Sequence, residues 1–279
     1  MSRLKERHAE VSMQTICGLF GYTRQAYYKS LRSNTDGVID DCRILLHVEN
    51  IRKLMPRLGT RKLHYMLQEE GVSVSRDRLF DILREHRMLV RRRKKRTVTT
   101  NSRHWMKKYP NLIRGFKFDS PNQLWVSDIT YISIEDTYAY LSLITDASSR
   151  KIMGYYLSRT LESEGSLRAL KLALSDHTAS FQGLIHHSDR GVQYCCKDYV
   201  ELLKANKIRI SMTENGDPYE NALAERVNGI LKDEWLDLEK FHNFQQAKER
   251  ISQVVKIYNE FRPHLSCGMK TPAQKHNHK

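Results

Sequence analysis

The chain has 279 residues, 40% of them hydrophobic, enough to bury a real core and to exclude global disorder. Its formal net charge is +15, and no uninterrupted apolar run approaches the roughly 20 residues a membrane helix needs. The N-terminus MSRLKERHAEVSM lacks the apolar stretch of a signal peptide, and five cysteines without CxxC spacing suggest neither a disulfide framework nor a zinc site. The expectation is a cytoplasmic protein with reduced thiols.

Length alone suggests about two domains, and the charge divides the chain the same way. Residues 1–115 hold 26 Lys and Arg against 11 Asp and Glu, whereas residues 116–279 hold 21 of each sign. A basic module joined to a neutral one suggests a grip on a polyanion attached to something that does a different job. A solubilising basic tail would look similar in charge but would not carry helix patterns.

In chain order, residues 14–31 come first, with Ile16, Leu19 and Phe20 as one apolar face. Gly21 breaks that helix and Thr23 can cap the next, which offers Arg24, Gln25, Tyr28 and Lys29 outward as phosphate and base-edge contacts. Residues 60–89 repeat the scheme. Thr60 caps RKLHYMLQEE, which presents Arg61 and Lys62, and Gly71 ends it. Ser75 then caps a helix carrying Arg76, with Leu79, Ile82, Leu83 and Leu89 at helical spacing. Two tandem helix-turn-helix patterns on the basic part of the chain point to DNA. The run Arg91, Arg92, Arg93, Lys94, Lys95, Arg96 repels itself and reads as a backbone contact extended along a polyanion. The expected organisation is a helix-turn-helix at 1–36, a second with the basic run at 37–96, a linker at 97–121 and a second domain with a C-terminal helical segment at 122–279.

From residue 122 strand runs replace the helix period. NQLWVSDITYISI, YAYLSLITD and RKIMGYYLS are rich in β-branched and aromatic residues and suggest an antiparallel meander. A helix, the short strand GLIHHSD, a helix, the strand IRISM and a last helix NALAERVNGILKDEW follow. The order β-β-β-α-β-α-β-α is that of the ribonuclease H-like fold, so the fold class is α/β with a mixed sheet, preceded by an all-α DNA-binding region. Asp128 falls within the first strand, Asp189 at the end of the fourth and Glu225 on the late helix. Carboxylates at buried strands are costly unless paired or bound to a cation. A group of acids sharing a site suits a hard ion such as Mg²⁺. Asp146 is a rival fourth acid, read as closing the turn between strands two and three. His187 and Arg190 flank Asp189 and could meet DNA or orient its carboxylate.

WVSDITYI, HHSDRGVQY and ENALAERVNGILKDE, with 35 residues between Asp189 and Glu225, resemble the three blocks of bacterial insertion-sequence transposases of the retroviral-integrase superfamily. YNEFRPHLSCGMKTPAQ resembles that family's closing segment. The resemblance implies that Asp128, Asp189 and Glu225 are catalytic and bind Mg²⁺ or Mn²⁺ as two ions. It implies that Lys232, seven residues after Glu225, contacts DNA. It implies cleavage at double-stranded transposon ends, strand transfer into target DNA, and a homo-oligomer on paired ends. Glu220 stands where many relatives have Asp. No zinc-binding HHCC spacing is present, which leaves end recognition to the helix-turn-helix units. Members are often fused to an upstream-frame DNA-binding and coiled-coil segment. This chain has no leucine heptads, so fusion to or association with such a partner is implied too. A DNA-binding regulator with a decayed catalytic half and a ribonuclease H-type nuclease are the competing readings.

Overall fold

A computed structural model describes residues 1–91, 106–175, 181–214 and 221–277. Arg92, Arg93, Lys94, Lys95 and Arg96 of the basic run, and Glu220, lie outside the described residues. The chain divides into two compact units, Met1–Lys53 with Leu63–Leu89, and Leu54–Lys62 with Val90–Lys279.

The first unit is helical: α1 (Ser2–Arg7), α2 (Met13–Leu19), α3 (Arg24–Leu54) up to Lys53, α4 (Thr60–Glu69) from Leu63, and α5 (Arg76–Glu85). The two turns between short helices use one device twice. After α2, Gly21 takes φ 72° while Gly21 N–H donates to Gly18 O and Tyr22 N–H to Cys17 O. After α4, Gly71 takes φ 76° with the matching bonds to Gln68 O and Leu67 O. Each is a left-handed glycine stop that satisfies carbonyls of the last helical turn. Each is followed by a hydroxyl cap: Thr23 Oγ1 accepts from Ala26 N–H and Ser75 Oγ from Arg78 N–H. Leu79, Ile82 and Leu83 are buried as their spacing predicts, with Leu89 half-buried. Thr60 is the first residue of α4, one position inside the expected cap. The first apolar face differs from expectation. Ile16 and Cys17 are buried, while Leu19 is 78% and Phe20 52% exposed, because a seven-residue helix turns only one narrow stripe inward. Residue 36, the expected end of the first module, falls inside the unbroken α3.

The second unit is built on a five-stranded sheet in the order β3-β2-β1-β4-β5, from β1 (Leu124–Ile134), β2 (Thr137–Asp146), β3 (Ile152–Ser158), β4 (Ile185–Ser188) and β5 (Arg209–Met212). β1, β2 and β3 form the antiparallel meander, and β4 and β5 run parallel to β1. α6 (Ser163–Ala173), α7 (Val192–Cys195), α8 (Lys197–Ala205), α9 (Ala222–Glu234), α10 (Phe244–Glu260) and α11 (Pro272–Asn277) complete it. This is the element order read from the sequence, with the four-residue α7 added. Strand alternation divides the core in two. Trp125 points into a cluster with Ala169, Leu170 and Ala173 of α6 and Tyr199, Val200 and Leu203 of α8. Leu124, Val126 and Ile185 pack on the opposite side with Ala224 of α9.

Two features carry the frame. Residues 106–121, read as linker, lie against the core instead. Leu112, Ile113, Phe116 and Phe118 pack beside Val126, Leu112 N–H donates to Ser211 Oγ (2.9 Å), and Met212 N–H donates to Pro110 O (3.3 Å). An extended segment laid along a sheet edge has no helix or strand period to betray it. The second feature is the contact of α6 with β3. A Cβ added at Gly154 would stand 2.2 Å from Ala169 O and 2.7 Å from Ala173 N, both backbone atoms that cannot swing aside. Gly154→Ala is therefore expected to lower stability by about 3 kcal/mol, the upper end of overpacking costs. An unchanged urea-unfolding midpoint would show that α6 shifts freely over β3.

Candidate active site

The β1–β4 ladder ends at Val126↔His187. Asp128 and Asp189 each lie two residues beyond that last pair, on neighbouring parallel strands where the chains part. Side chains alternate along a strand, so Asp128 shares a face with Leu124 and Val126, the face covered by α9. Crevices at the carboxyl ends of adjacent parallel strands are where open α/β sheets hold ligands.

The electrostatics mark the same spot. Burial, and after it the charge of Asp189, pushes the Asp128 carboxyl up to about 7. A hydrogen bond from Asn228 (Nδ2 to Asp128 Oδ2, 2.7 Å) and one from Ile129 N–H pull it back, and Glu225 adds a further upward push. Asp189 Oδ1 accepts Gly191 N–H at 2.9 Å, which ties the carboxylate to the turn leading into α7. Tyr194, buried on the other face, is pushed well above its usual value by burial and then by the charge of Asp189, so its hydroxyl keeps its proton.

Glu225 sits in the first turn of α9, exposed, three residues before Asn228. Its helix is the one hydrogen-bonded to Asp128, and its charge is felt there. Among the described residues, no three His, Cys, Asp or Glu side chains are gathered closely enough to hold an ion as they stand. The donor set nonetheless suits Mg²⁺, a hard cation commonly held by one or two carboxylates and completed by water and substrate phosphate. Two half-buried carboxylates, the charge of one raising the other, with a third on the adjoining helix, suit a site for a positive charge.

The remaining expected contacts divide. Lys232 is on α9 with its Nζ donating to Tyr131 O (3.0 Å), three residues along β1 from Asp128. Arg24, Lys29, Arg61, Arg76 and Arg91 are exposed; Arg24 lies 5.8 Å from the Tyr28 ring centre and Arg76 pairs with Asp77. Lys62 is half-buried within the second unit, and desolvation, then the guanidinium of Arg262, pushes its ammonium down to about 8. Asp146 is fully buried and accepts from Asn122 N–H (2.7 Å), Ser149 N–H (2.8 Å) and Ser149 Oγ (2.8 Å), the turn-closing role expected of it. His187 is buried with Nδ1 on Ser211 Oγ at 2.8 Å, facing β5. All five cysteines are free thiols, and among the described residues no helix is long and apolar enough to cross a membrane.

Two histidines missed in the sequence are held neutral. His186 Nε2 meets Ser127 Oγ (2.7 Å) and Tyr199 Oη (2.9 Å), and burial pushes its imidazole down to about 3. His264 Nε2 accepts from Arg262 Nη1 (2.9 Å), and burial, then that guanidinium, pushes it down to about 2. Folded values below the unfolded value mean that the unfolded chain takes up protons first. Stability is complete above about pH 6.5 and is lost as pH falls from there toward about 3. Each histidine should remove about 2 kcal/mol between pH 7 and pH 5. Urea midpoints of the Asp128→Asn variant at those two pH values check this, because the raised carboxyl of Asp128 gains stability over the same range, and equal midpoints would contradict it.

Residues 119–218 match an integrase core domain family, and residues 206–272 match a second family of the same description. The Insertion element IS600 uncharacterized 31 kDa protein of Shigella sonnei is 35% identical, the match covering 92% of this chain and 96% of that protein. The transposase for insertion sequence element IS629, also of Shigella sonnei, is 32% identical over 77% of this chain and 72% of its own length. A putative transposase for IS986/IS6110 of Mycobacterium tuberculosis is 30% identical over 77% of this chain and 80% of its own. A solved structure, the simian T-cell lymphotropic virus intasome in complex with PP2A regulatory subunit B56 gamma, aligns with TM-score 0.51 and 20% identity. That alignment covers 85% of this chain and 74% of the other, and supports the expected ribonuclease H-like fold.

Proposed function

The chain belongs to the bacterial insertion-sequence transposases with an integrase core, and from that premise we propose that Asp128, Asp189 and Glu225 form its strand-cutting and strand-joining centre. The protein is a polynucleotidyl transferase acting in insertion-sequence transposition and DNA integration. The observation that carries the site assignment is the pairing of Asp128 and Asp189 where β1 and β4 part, with α9 clasped to Asp128.

Two divalent ions, magnesium or manganese, would supply the charge that activates an attacking oxygen and stabilises the departing one. The chain's own residues do the rest. Asp128 and Asp189 provide fixed anionic oxygens in a crevice of low polarity, and α9 brings Glu225 to its rim. Water attacks a phosphodiester at the transposon end, breaking one P–O bond and leaving a 3′-hydroxyl. That oxygen then attacks a target phosphodiester, so one P–O bond forms as another breaks and the displaced 3′-oxygen takes up the proton. Lys232, with Nζ held at Tyr131 O, keeps further N–H donors for a DNA phosphate. Arg24, Lys29, Arg61, Lys62, Arg76 and the run from Arg91 to Arg96 grip double-stranded DNA, and copies of the chain assemble on paired ends. An upstream-frame partner would add a further DNA contact.

The test is a strand-transfer assay with the full chain, Mg²⁺ and a duplex bearing the element's terminal sequence. Covalent joining of that end to target DNA is the expected result. Cleavage confined to the RNA of a hybrid would favour the nuclease reading, and binding without cleavage would favour a regulator.

A further inference from the structure

Two asparagines of α9 reach the strand that carries Asp128. Asn221, at the start of the helix, donates from Nδ2 to Ser127 O at 3.2 Å, and Asn228 donates from Nδ2 to Asp128 Oδ2 at 2.7 Å. They are seven residues apart, two turns along one helix face. Both are nine-tenths or more buried, at 6% and 5% exposure. Among the described residues the Oδ1 of each has no hydrogen-bond partner.

The charge of Asp128 orients the Asn228 amide. A carboxylate only accepts, so Nδ2 must face it and Oδ1 must face away. Burying an unpaired amide oxygen opposes folding, and an apolar side chain of similar size would glue α9 to the sheet without that cost. What an apolar residue cannot do is hold one oxygen of Asp128 by a directed bond. Asn228 also lies one turn from Glu225, so the same bond sets the spacing between the helix that bears Glu225 and the strand that bears Asp128.

We infer that Asn228 is a positioning residue, holding Asp128 Oδ2 by its amide so that the carboxylates of β1 and α9 are aligned for a divalent cation. The inference rests on the assignment of Asp128 under the proposed function. Ligand-orienting partners of this kind commonly change metal affinity by about 10- to 100-fold when removed.

The test uses the full chain and Mn²⁺ alone, with binding followed by electron paramagnetic resonance and folding by urea unfolding. Asp128→Asn should abolish tight Mn²⁺ binding, and Asn228→Ala should weaken it about tenfold or more. Asn228→Leu keeps the buried volume and should show the same loss if the alanine variant does not fold. The exchange variant Asp128→Asn with Asn228→Asp restores an amide–carboxylate pair. It should match the parent's urea midpoint without regaining Mn²⁺ binding, because the carboxylate has moved to the helix. Parent-like Mn²⁺ binding in Asn228→Ala or Asn228→Leu, with binding lost in Asp128→Asn, would overturn the inference and leave the active-site reading standing. Undiminished binding in Asp128→Asn would overturn that reading itself.

Discussion

Asp128→Asn and Asp189→Asn are each expected to lower strand cleavage and strand transfer at least about a thousandfold, roughly 4 kcal/mol of transition-state stabilisation. The size follows from position. Both residues lie at the point where two parallel strands separate, Asp128 on the face closed by α9, and they are close enough that the charge of Asp189 is costly to that of Asp128. An amide oxygen supplies neither the charge nor the affinity for a hard divalent ion. The same substitution relieves a like-charge repulsion, so the metal-free variants should unfold at urea concentrations no lower than the parent's. DNA binding at moderate salt should also persist, because the exposed cations of α3, α4 and α5 are untouched. Loss of activity with fold and binding intact is the signature of a chemical role. If either variant transposed within tenfold of the parent, the assignment of the centre would fail. Glu225→Gln tests the third member in the same assay, and its exposure makes it the carboxylate whose replacement should disturb folding least.

Much of this was readable before any coordinates. The switch from helical spacing to β-branched runs at residue 122 gave the element order. Asp128 and Asp189 stood out because charged residues at the ends of apolar strands require a physical reason. The two glycine stops with their hydroxyl caps were legible because they are local: Gly21 with Thr23, and Gly71 with Ser75, lie within a few residues of the helices they end and begin. What could not be read was contact across sequence distance. Asn228 lies 100 residues from the Asp128 it holds, and in the sequence it is one polar residue on a mixed helix. Residues 106–121 carry no periodicity, so their packing on the core was invisible. The groups that act on the Lys62 ammonium were hidden for the same reason: Arg262 and Glu234 come from the far end of the chain. Leu19 and Phe20 were assigned inward on spacing alone, and whether a seven-residue helix has anything to bury them against is a tertiary question.

Arg262 is the clearest case of a determinant hidden in a motif, and its removal should be among the most damaging single changes in the second unit. It is 1% exposed, and each of its three guanidinium nitrogens donates to a protein partner. Nε donates to Glu234 Oε2 at 2.7 Å, Nη2 to Glu234 Oε1 at 2.5 Å, and Nη1 to His264 Nε2 at 2.9 Å. The bond to His264 also requires that Nε2 carry no proton, which agrees with the downward push on that imidazole. Glu234 closes α9, so this fork ties the last turn of the helix bearing Glu225 and Asn228 to the segment after α10. Arg262→Met would leave Glu234 largely buried and unpaired, at a cost of about 3–5 kcal/mol. Arg262→Lys should recover little, because one ammonium cannot reproduce a bidentate fork and a third bond together. Pairing Arg262→Met with Glu234→Leu removes both charges and should regain most of the loss, since buried ion pairs are often replaceable by apolar contacts of similar volume. Urea unfolding of the three variants decides the matter. A single variant as stable as the parent, or a double variant no better than the single, would show that the pair is not what secures the end of α9.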